Sequence, residues 1–229
     1  MPSFATFRRL LAAAACVGVV ASLPTAAVAQ QAKAGAPTVL AAPGPGVKPA
    51  GLSAQQKETL GAINKYFNSV RTLNGEFVQF GPDGEKSGGE FHMSRPGKIR
   101  FIYAKPSHLD IIADGIDVIV RDIKNQTQDL YPLSKTPLRF LLADRIDLTS
   151  EANITNVSIE PDLVSVVLEQ STVFGDGRLT MVFDRKTSEL KQWTVTDAQG
   201  YDTSVAVYNV TANQPADEKL FKIDRTIIR

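Results

Sequence analysis

After Gly75, apolar and polar residues alternate in short runs, and turn-forming residues separate one run from the next. This alternation predicts half-buried strands, because successive side chains of a strand point to opposite faces. Many short strands joined by tight turns favour an antiparallel sheet with up-and-down connectivity, and roughly ten of them would curl upon themselves or split into two sheets. The predicted turns are Pro82–Gly84, Asp114–Gly115, Glu160–Asp162, Asp176–Gly177 and Asp197–Gly200. The clearest strands are Phe91–Arg95, Ile99–Tyr103, Val164–Leu168, Leu179–Phe183 and Trp193–Thr196.

A helix is predicted ahead of the strands, beginning after Ser53. Ser53 can cap the helix, and Gln56, three residues later, completes a capping box. Asn74-Gly75 is expected to end the helix. One apolar stripe at helical spacing, which predicts packing on the sheet, consists of Leu60, Ile63, Phe67 and Val70.

The first 29 residues have the features of a secretory signal peptide. Arg8 and Arg9 precede an apolar run from Leu10 to Leu23, and a small-x-small exit follows, ending at Ala29. The run is shorter than the roughly 20 residues of a membrane-spanning helix. We therefore expect export to the periplasm, with cleavage near Ala29.

The only cysteine, Cys16, lies inside that apolar run. The alternative to cleavage near Ala29 is a lipoprotein acylated at Cys16, but Ala13-Ala14-Ala15 lacks the aliphatic residue with which such sites usually begin. Without the signal peptide the chain has no thiol, which excludes disulfides and thiol catalysis. Loss of Arg8 and Arg9 leaves 23 of the 25 basic residues against 24 acidic ones. Such a near-neutral charge gives no electrostatic footprint for nucleic acid, so we expect no nucleic-acid partner.

Residues Gln30 to Leu52 form a segment rich in proline and alanine. It has no hydrophobic period, which is typical of a flexible tether. The remainder, residues 53–229, is predicted to be one domain, long enough to bury a sizeable core.

The signatures of common enzymes are absent from the sequence. It holds neither a G-x-S-x-G nucleophile elbow nor a Gly-rich phosphate loop. His92 is expected on the outward face of a strand and His108 in a turn, and neither has the partner of a helical zinc site. Asp110, Asp114 and Asp117 look like a cluster, but Asp114 begins a turn and strand neighbours alternate faces. We therefore expect no catalysis, no metal and no cofactor.

A short helix is predicted at Pro137–Leu142. Thr136 can cap it, and proline suits its first position. Leu138, Leu141 and Leu142 lie three and four residues apart, on one face. The segment is either an ordinary connection or a cover over the open end of a curved sheet.

Arg95 shares a strand face with Phe91 and Met93 by parity, and Pro96 ends that strand. A guanidinium beside an apolar face is costly unless it is hydrogen-bonded. On local pattern, two interpretations are open. The Arg95 side chain lies along the apolar surface so that its guanidinium reaches water at the edge of the sheet, or it points inward and the guanidinium donates hydrogen bonds to the backbone carbonyls of a mobile lid.

Five segments of the chain stand out by their order and spacing: Leu73–Gln79, Gly89–Phe101, Ile111–Gly115, Pro137–Leu142 and Leu190–Asp197. The second of them holds the most specific stretch, G-x-F-x-x-x-R-P-G-K-x-R-F. Together these segments resemble the periplasmic lipoprotein-carrier family of the LolA type. The chain departs from that family in its long tether, between Tyr131 and Pro137, and after Asn213.

The resemblance implies a mainly β (α+β) fold: an unclosed antiparallel β-barrel with an N-terminal helix and short lid helices over an acyl-chain cavity. Arg95 matches the arginine that holds the lid closed in that family, and Leu138, Leu141 and Leu142 fall on the lid helix. The expected cavity residues are Phe77, Phe91, Met93, Ile99, Phe101, Tyr103, Leu168, Met181, Phe183 and Trp193.

The function implied by the resemblance is that of a monomeric chaperone for acylated lipoproteins. It would take them from an inner-membrane ABC transporter of the lipoprotein-release type and deliver them towards the outer membrane, where a receptor is a further partner. Two alternatives share the architecture: a sensor or regulatory module that binds lipid or lipoprotein, and a carrier of free lipid.

Overall fold

The computed structural model describes residues 51–151, 153–172 and 175–225. The predicted signal peptide with Cys16, and residues 30–50 of the predicted tether, lie outside these ranges. Among the described helices, none combines the length and apolar character that a membrane-spanning helix needs.

The first described element is helix α1, Ala54–Ser69. The predicted capping box is confirmed: the Ser53 hydroxyl accepts from the Gln56 amide, and the Gln56 side chain accepts from the Ser53 amide at 2.8 Å. The predicted stripe is also confirmed, since Leu60, Ile63, Phe67 and Val70 are all buried.

We expect Ser53→Ala to lower the free energy of unfolding by about 1 kcal/mol, because it leaves helix donors without an acceptor. Urea unfolding, followed by the fluorescence of the single tryptophan, measures this change. Ser69→Ala, at the other end of α1, is the matched control and should change stability less. Equal losses in the two variants would contradict the capping role of Ser53.

In the described part of the chain, eleven antiparallel strands form one sheet. The strands are β1 (Thr72–Phe80), β2 (Lys86–Ser94), β3 (Lys98–Tyr103), β4 (Leu109–Asp114), β5 (Asp117–Asp122), β6 (Thr127–Pro132), β7 (Ile154–Ile159), β8 (Leu163–Thr172), β9 (Gly175–Asp184), β10 (Leu190–Thr196) and β11 (Asp202–Ala212). Their order is β6-β5-β4-β3-β2-β1-β11-β10-β9-β8-β7, so β6 and β7 are edges that do not pair with each other. The prediction of an unclosed, mainly β fold is confirmed.

The two faces of the sheet differ. The inner face carries one continuous hydrophobic core that includes α1, and the strand residues that belong to it alternate with residues of the outer face. Met181 and Phe183 of β9, for example, lie in this core, whereas Val182 between them points to the outer face. The site is therefore to be sought between the inner face and the elements that cover it.

Short elements complete the fold. A 3-10 turn, Leu133–Lys135, is followed by helix α2, Leu138–Leu141. A second 3-10 helix, Glu218–Phe221, lies on the outer face against β3 and β4. Phe221 is only 2% exposed there, and Ile112 and Ile119 of the outer face are equally buried.

Three local predictions are wrong. Asn74-Gly75 does not end α1, which stops at Ser69; both residues lie in β1, where a side chain at Gly75 would meet the Phe91 ring at 3.0 Å. Thr136 does not cap α2, because its hydroxyl donates to the Leu133 carbonyl at 2.9 Å.

The third concerns Asp176-Gly177, which does not form a turn. Asp176 pairs with Ser171 and Gly177 with Gln170, because β8 and β9 stay paired as far as Thr172 and Gly175. The pairing leaves residues 173 and 174, outside the described ranges, between the strands.

Candidate functional site

Among the described residues, two segments cover the inner face: α1, and the stretch from α2 to Leu148, which we call the lid segment (Leu138–Leu148). Two asparagines one helical turn apart on α1 bind the lid segment in both directions. Asn68 donates to the Ile146 carbonyl and accepts from the Ile146 amide, both at 2.8 Å. Asn64 accepts from the Leu148 amide at 2.9 Å. The helix and the lid segment therefore form one cover over the core.

Arg95 joins this cover to the sheet. It lies in the β2–β3 turn, is 6% exposed, and points inward beneath the cover. Its guanidinium donates to four backbone carbonyls: those of Phe67 and Val70 at the end of α1, and those of Ala143 and Asp144 in the lid segment. The Nε–O distance to Ala143 is 2.8 Å.

The same guanidinium lies 4.7 Å from the centre of the Phe67 ring, within reach of a cation–π contact. The pKa of Arg95 is lowered to about 10, mainly by burial and then by the positive charge of Arg71, whereas the negative charge of Asp144 opposes both. The side chain therefore stays protonated at neutral pH and keeps all its donors. The buried charge is balanced mainly by carbonyl dipoles, since its bonds to the described residues all go to backbone carbonyls.

Glycine backbone geometry places this turn against the lid. Gly97, two residues after Arg95, donates its amide to the Leu142 carbonyl at 2.8 Å. Its φ is +82°, and a side chain there would meet Gly115 Cα at 2.6 Å. Glycine is thus needed both for the conformation and for the close approach of the β4–β5 turn.

A cavity of about 330 Å³ lies under the second half of α1. Its floor consists of the central strands β1, β2, β10 and β11, and its rim carries polar residues such as Glu189 and Lys191. The main apolar lining residues are Phe67, Val70, Leu73, Phe91, Met93, Trp193 and Val207. The arrangement offers an apolar chamber with a polar entrance.

The ten residues predicted for the cavity divide into two groups. Phe91, Met93 and Trp193 line it. The other seven are buried in the surrounding core and stay predictions as cargo contacts: Phe77, Ile99, Phe101, Tyr103, Leu168, Met181 and Phe183. The predicted lid residues Leu141 and Leu142 are buried, and Leu138 packs against the same core.

Within this core, one polar pair is buried. Tyr103 donates its hydroxyl to the Gln79 side chain at 2.8 Å, and burial raises the pKa of Tyr103. A neutral hydrogen-bonded pair costs little in an apolar environment, so Tyr103 can be buried in the core that surrounds the cavity.

The sequence does not single out several residues of the site. The spacing of Phe67 and Val70 predicts that they pack against the sheet, but a helix face that packs on a sheet also faces any cavity between the two. Val207 follows the alternation of β11 and could have been found from it. Asn64 and Asn68 carried a weak signal, since two amides four residues apart share a helix face. In the part of the chain that the structure describes, no three His, Asp or Glu side chains come together as metal ligands would.

Residues 68–224 match the family described as outer membrane lipoprotein carrier protein LolA. The matched range continues past Asn213 as far as residue 224. The outer-membrane lipoprotein carrier protein of Halorhodospira halophila is 29% identical over 183 residues, which are 76% of this chain and 85% of that protein. The protein of the same name from Methylococcus capsulatus is 26% identical over 180 residues, 74% of this chain and 86% of that one.

A solved structure of a LolA superfamily protein from Nitrosomonas europaea is similar with a TM-score of 0.37 at 10% identity, over 73% of this chain and 99% of that one. The match to the family covers well over half of the sequence and includes the turn of Arg95, the lid segment and the cavity strands. The chain therefore belongs to the outer membrane lipoprotein carrier (LolA) family.

Proposed function

We propose that this protein is a periplasmic carrier, and not an enzyme, that binds the acyl chains of lipoproteins in the cavity beneath α1 and the lid segment. It receives them from an inner-membrane ABC transporter of the lipoprotein-release type and delivers them towards the outer membrane. The observation that carries the proposal is the position of Arg95, whose five hydrogen bonds to four backbone carbonyls hold both covering segments over an apolar chamber.

The size of the cavity supports a closed, unloaded state. Its volume of about 330 Å³ lies at the lower end of ligand pockets, which span roughly 300–1,000 Å³. Several long acyl chains need more room, so the cover must move when cargo enters. Movement of the cover breaks the bonds of Arg95, and closing restores them.

This coupling suits a carrier. Each CH₂ group that moves from water into an apolar chamber gains about 0.8 kcal/mol, so a long acyl chain would be held very tightly by a rigid cavity. The closed state gains the Arg95 bonds only when cargo leaves, which offsets part of that affinity. Cargo shifts the equilibrium between the open and the closed cover only by the difference between its affinities for these two states.

The proposal is tested by purifying the exported protein from periplasm under mild conditions and measuring the mass of the intact complex together with its extractable lipid. We expect triacylated lipoprotein. If the protein is empty, release of lipoproteins from inner-membrane vesicles by added carrier gives the same answer. Free phospholipid or glycolipid alone would overturn the lipoprotein assignment and favour a lipid carrier or sensor.

A matched pair of variants on β11 ties the cargo to the cavity. Val207→Asp places a charge in the lining and should abolish co-purification, because an unpaired carboxylate cannot be buried beside acyl chains. Thr211→Asp places the same charge at an exposed position of the same strand and should not change it. Trp193 fluorescence shows whether each variant is folded. Cargo retained by folded Val207→Asp would contradict the proposed cavity.

A further inference from the structure

The outer face of strands β1 and β8–β11 is unusually well buried. Four apolar residues point away from the inner core there, yet each is at most 4% exposed: Val78, Val167, Val182 and Ala206. Cross-strand pairing places Val78 beside Ala206, and Gln192 between Ala206 and Val182, so they form one patch. A row that includes Thr180 and Thr194, each 1% exposed, continues it. We call these residues the outer patch.

No described helix covers the outer patch. Helix α1 lies on the inner face, as its residues in the core show, and α2 packs beside the 3-10 turn Leu133–Lys135. The 3-10 helix Glu218–Phe221 crosses the outer face, but at β3 and β4. This 3-10 helix is an example of a segment that crosses the outer face of the sheet and buries apolar residues there.

Two polar groups at the outer patch point to the chemistry of its cover. The Nε of Arg178 and the hydroxyl of Thr180 are buried and have no hydrogen-bond partner among the described residues. A buried N–H without an acceptor costs free energy, so the cover should offer carbonyl groups. An extended segment in the polyproline conformation does so, because it has no internal hydrogen bonds.

We propose that the outer patch is the docking site of the chain's own proline- and alanine-rich segment, residues 30–50. This segment includes Thr38-Val39-Leu40-Ala41-Ala42, whose small and apolar side chains suit a patch of valine, alanine and threonine. Its four prolines have no N–H and disrupt pairing at a sheet edge, so it is suited to lie across a face rather than to extend β6 or β7.

The reach of the segment fits this site. It joins α1 at the end that touches edge strand β7, where Gln56 donates to the Val157 carbonyl at 2.8 Å. Five strand spacings of about 4.8 Å separate β7 from β1, roughly 25 Å in all. About 20 residues in the polyproline conformation span about 60 Å, enough to pass round β7 and cross the patch.

The test is the reactivity of a single cysteine introduced by Ala206→Cys into the exported protein, whose only other cysteine is in the predicted signal peptide. Thiols react with maleimide according to their access. We expect labelling to be about tenfold or more slower than in Thr211→Cys, an exposed position of the same strand. Adding Val39→Asp and Leu40→Asp should bring the two rates together.

Two controls keep the result specific. Gln30→Asp with Gln31→Asp adds the same charges outside the apolar part of the segment and should leave Ala206→Cys protected. Leu168→Cys, on the inner face, should stay slow in every background, which shows that the sheet is intact.

Each other outcome overturns the proposal. Rapid labelling of Ala206→Cys in the otherwise unchanged chain would mean an open patch. Protection that survives Val39→Asp with Leu40→Asp would mean a different cover. Protection lost on dilution of the protein would assign the patch to a second copy of the chain.

Discussion

Arg95→Leu is expected to take up lipoprotein but to deliver it at least about tenfold more slowly, since each 1.4 kcal/mol of lost coupling is a factor of ten. Hydrogen bonds from a charged donor contribute about 1.5–3 kcal/mol each, and this side chain makes several of them only when the cover is closed. The apolar lining is unchanged, so uptake persists. Transfer from the loaded carrier to acceptor membranes measures delivery.

The matched control for this experiment is Arg71→Leu. Arg71 pairs with Asp144 in the same lid segment, but both side chains are more than half exposed. Exposed pairs contribute little because water screens them, so delivery should stay near normal. Normal delivery by folded, loaded Arg95→Leu would rule out that Arg95 promotes release by holding the cover closed. It would not contradict the proposal that the cavity binds the cargo.

Gly89→Ala is expected to lower the free energy of unfolding by about 3 kcal/mol or more, at the upper end of overpacking effects. A Cβ at Gly89 would lie 2.0 Å from the Ile102 carbonyl oxygen and 3.0 Å from the Ala104 amide nitrogen. Both atoms belong to the backbone, so β2 and β3 would have to separate next to the inner core. Urea unfolding followed by Trp193 fluorescence measures the loss.

Gly61→Ala makes the same chemical change with the opposite expected sign. Gly61 lies inside α1, and a Cβ there meets nothing within 4 Å. Alanine should raise the free energy of unfolding by roughly 0.5–1 kcal/mol, because glycine loses more conformational freedom in a helix. Similar changes in the two variants would show that the contact at Gly89 is relieved by a small backbone shift.

Local chemistry explains which parts of the fold could be predicted. The capping box at Ser53, the stripe of α1 and most turns depend on neighbouring residues, and these predictions are confirmed. Asn74-Gly75 has strong turn chemistry, but tertiary packing of Gly75 against Phe91 prevails. Pairing of β8 with β9 likewise overrides Asp176-Gly177. Local propensity is a weak guide where two strands already have partners.

The site was predictable only in part, for a related reason. Parity alone placed Arg95 on the inner face, but its acceptors are backbone carbonyls from segments about 28 and 48 residues away along the chain. The sequence does not indicate which backbone carbonyls accept a hydrogen bond, because every residue has one. The two-way bonds of Asn64 and Asn68 to the lid segment are hidden in the same way.

The use of main-chain acceptors by Arg95 has a consequence for which substitutions this chain can tolerate. Substitutions in the lid segment or at the end of α1 can change side chains there without deleting an acceptor. The arginine itself has no replacement, because lysine lacks a fork that reaches carbonyls on two sides. The side chains of the lid segment can therefore change while this one arginine keeps the same bonds between the cover and the sheet.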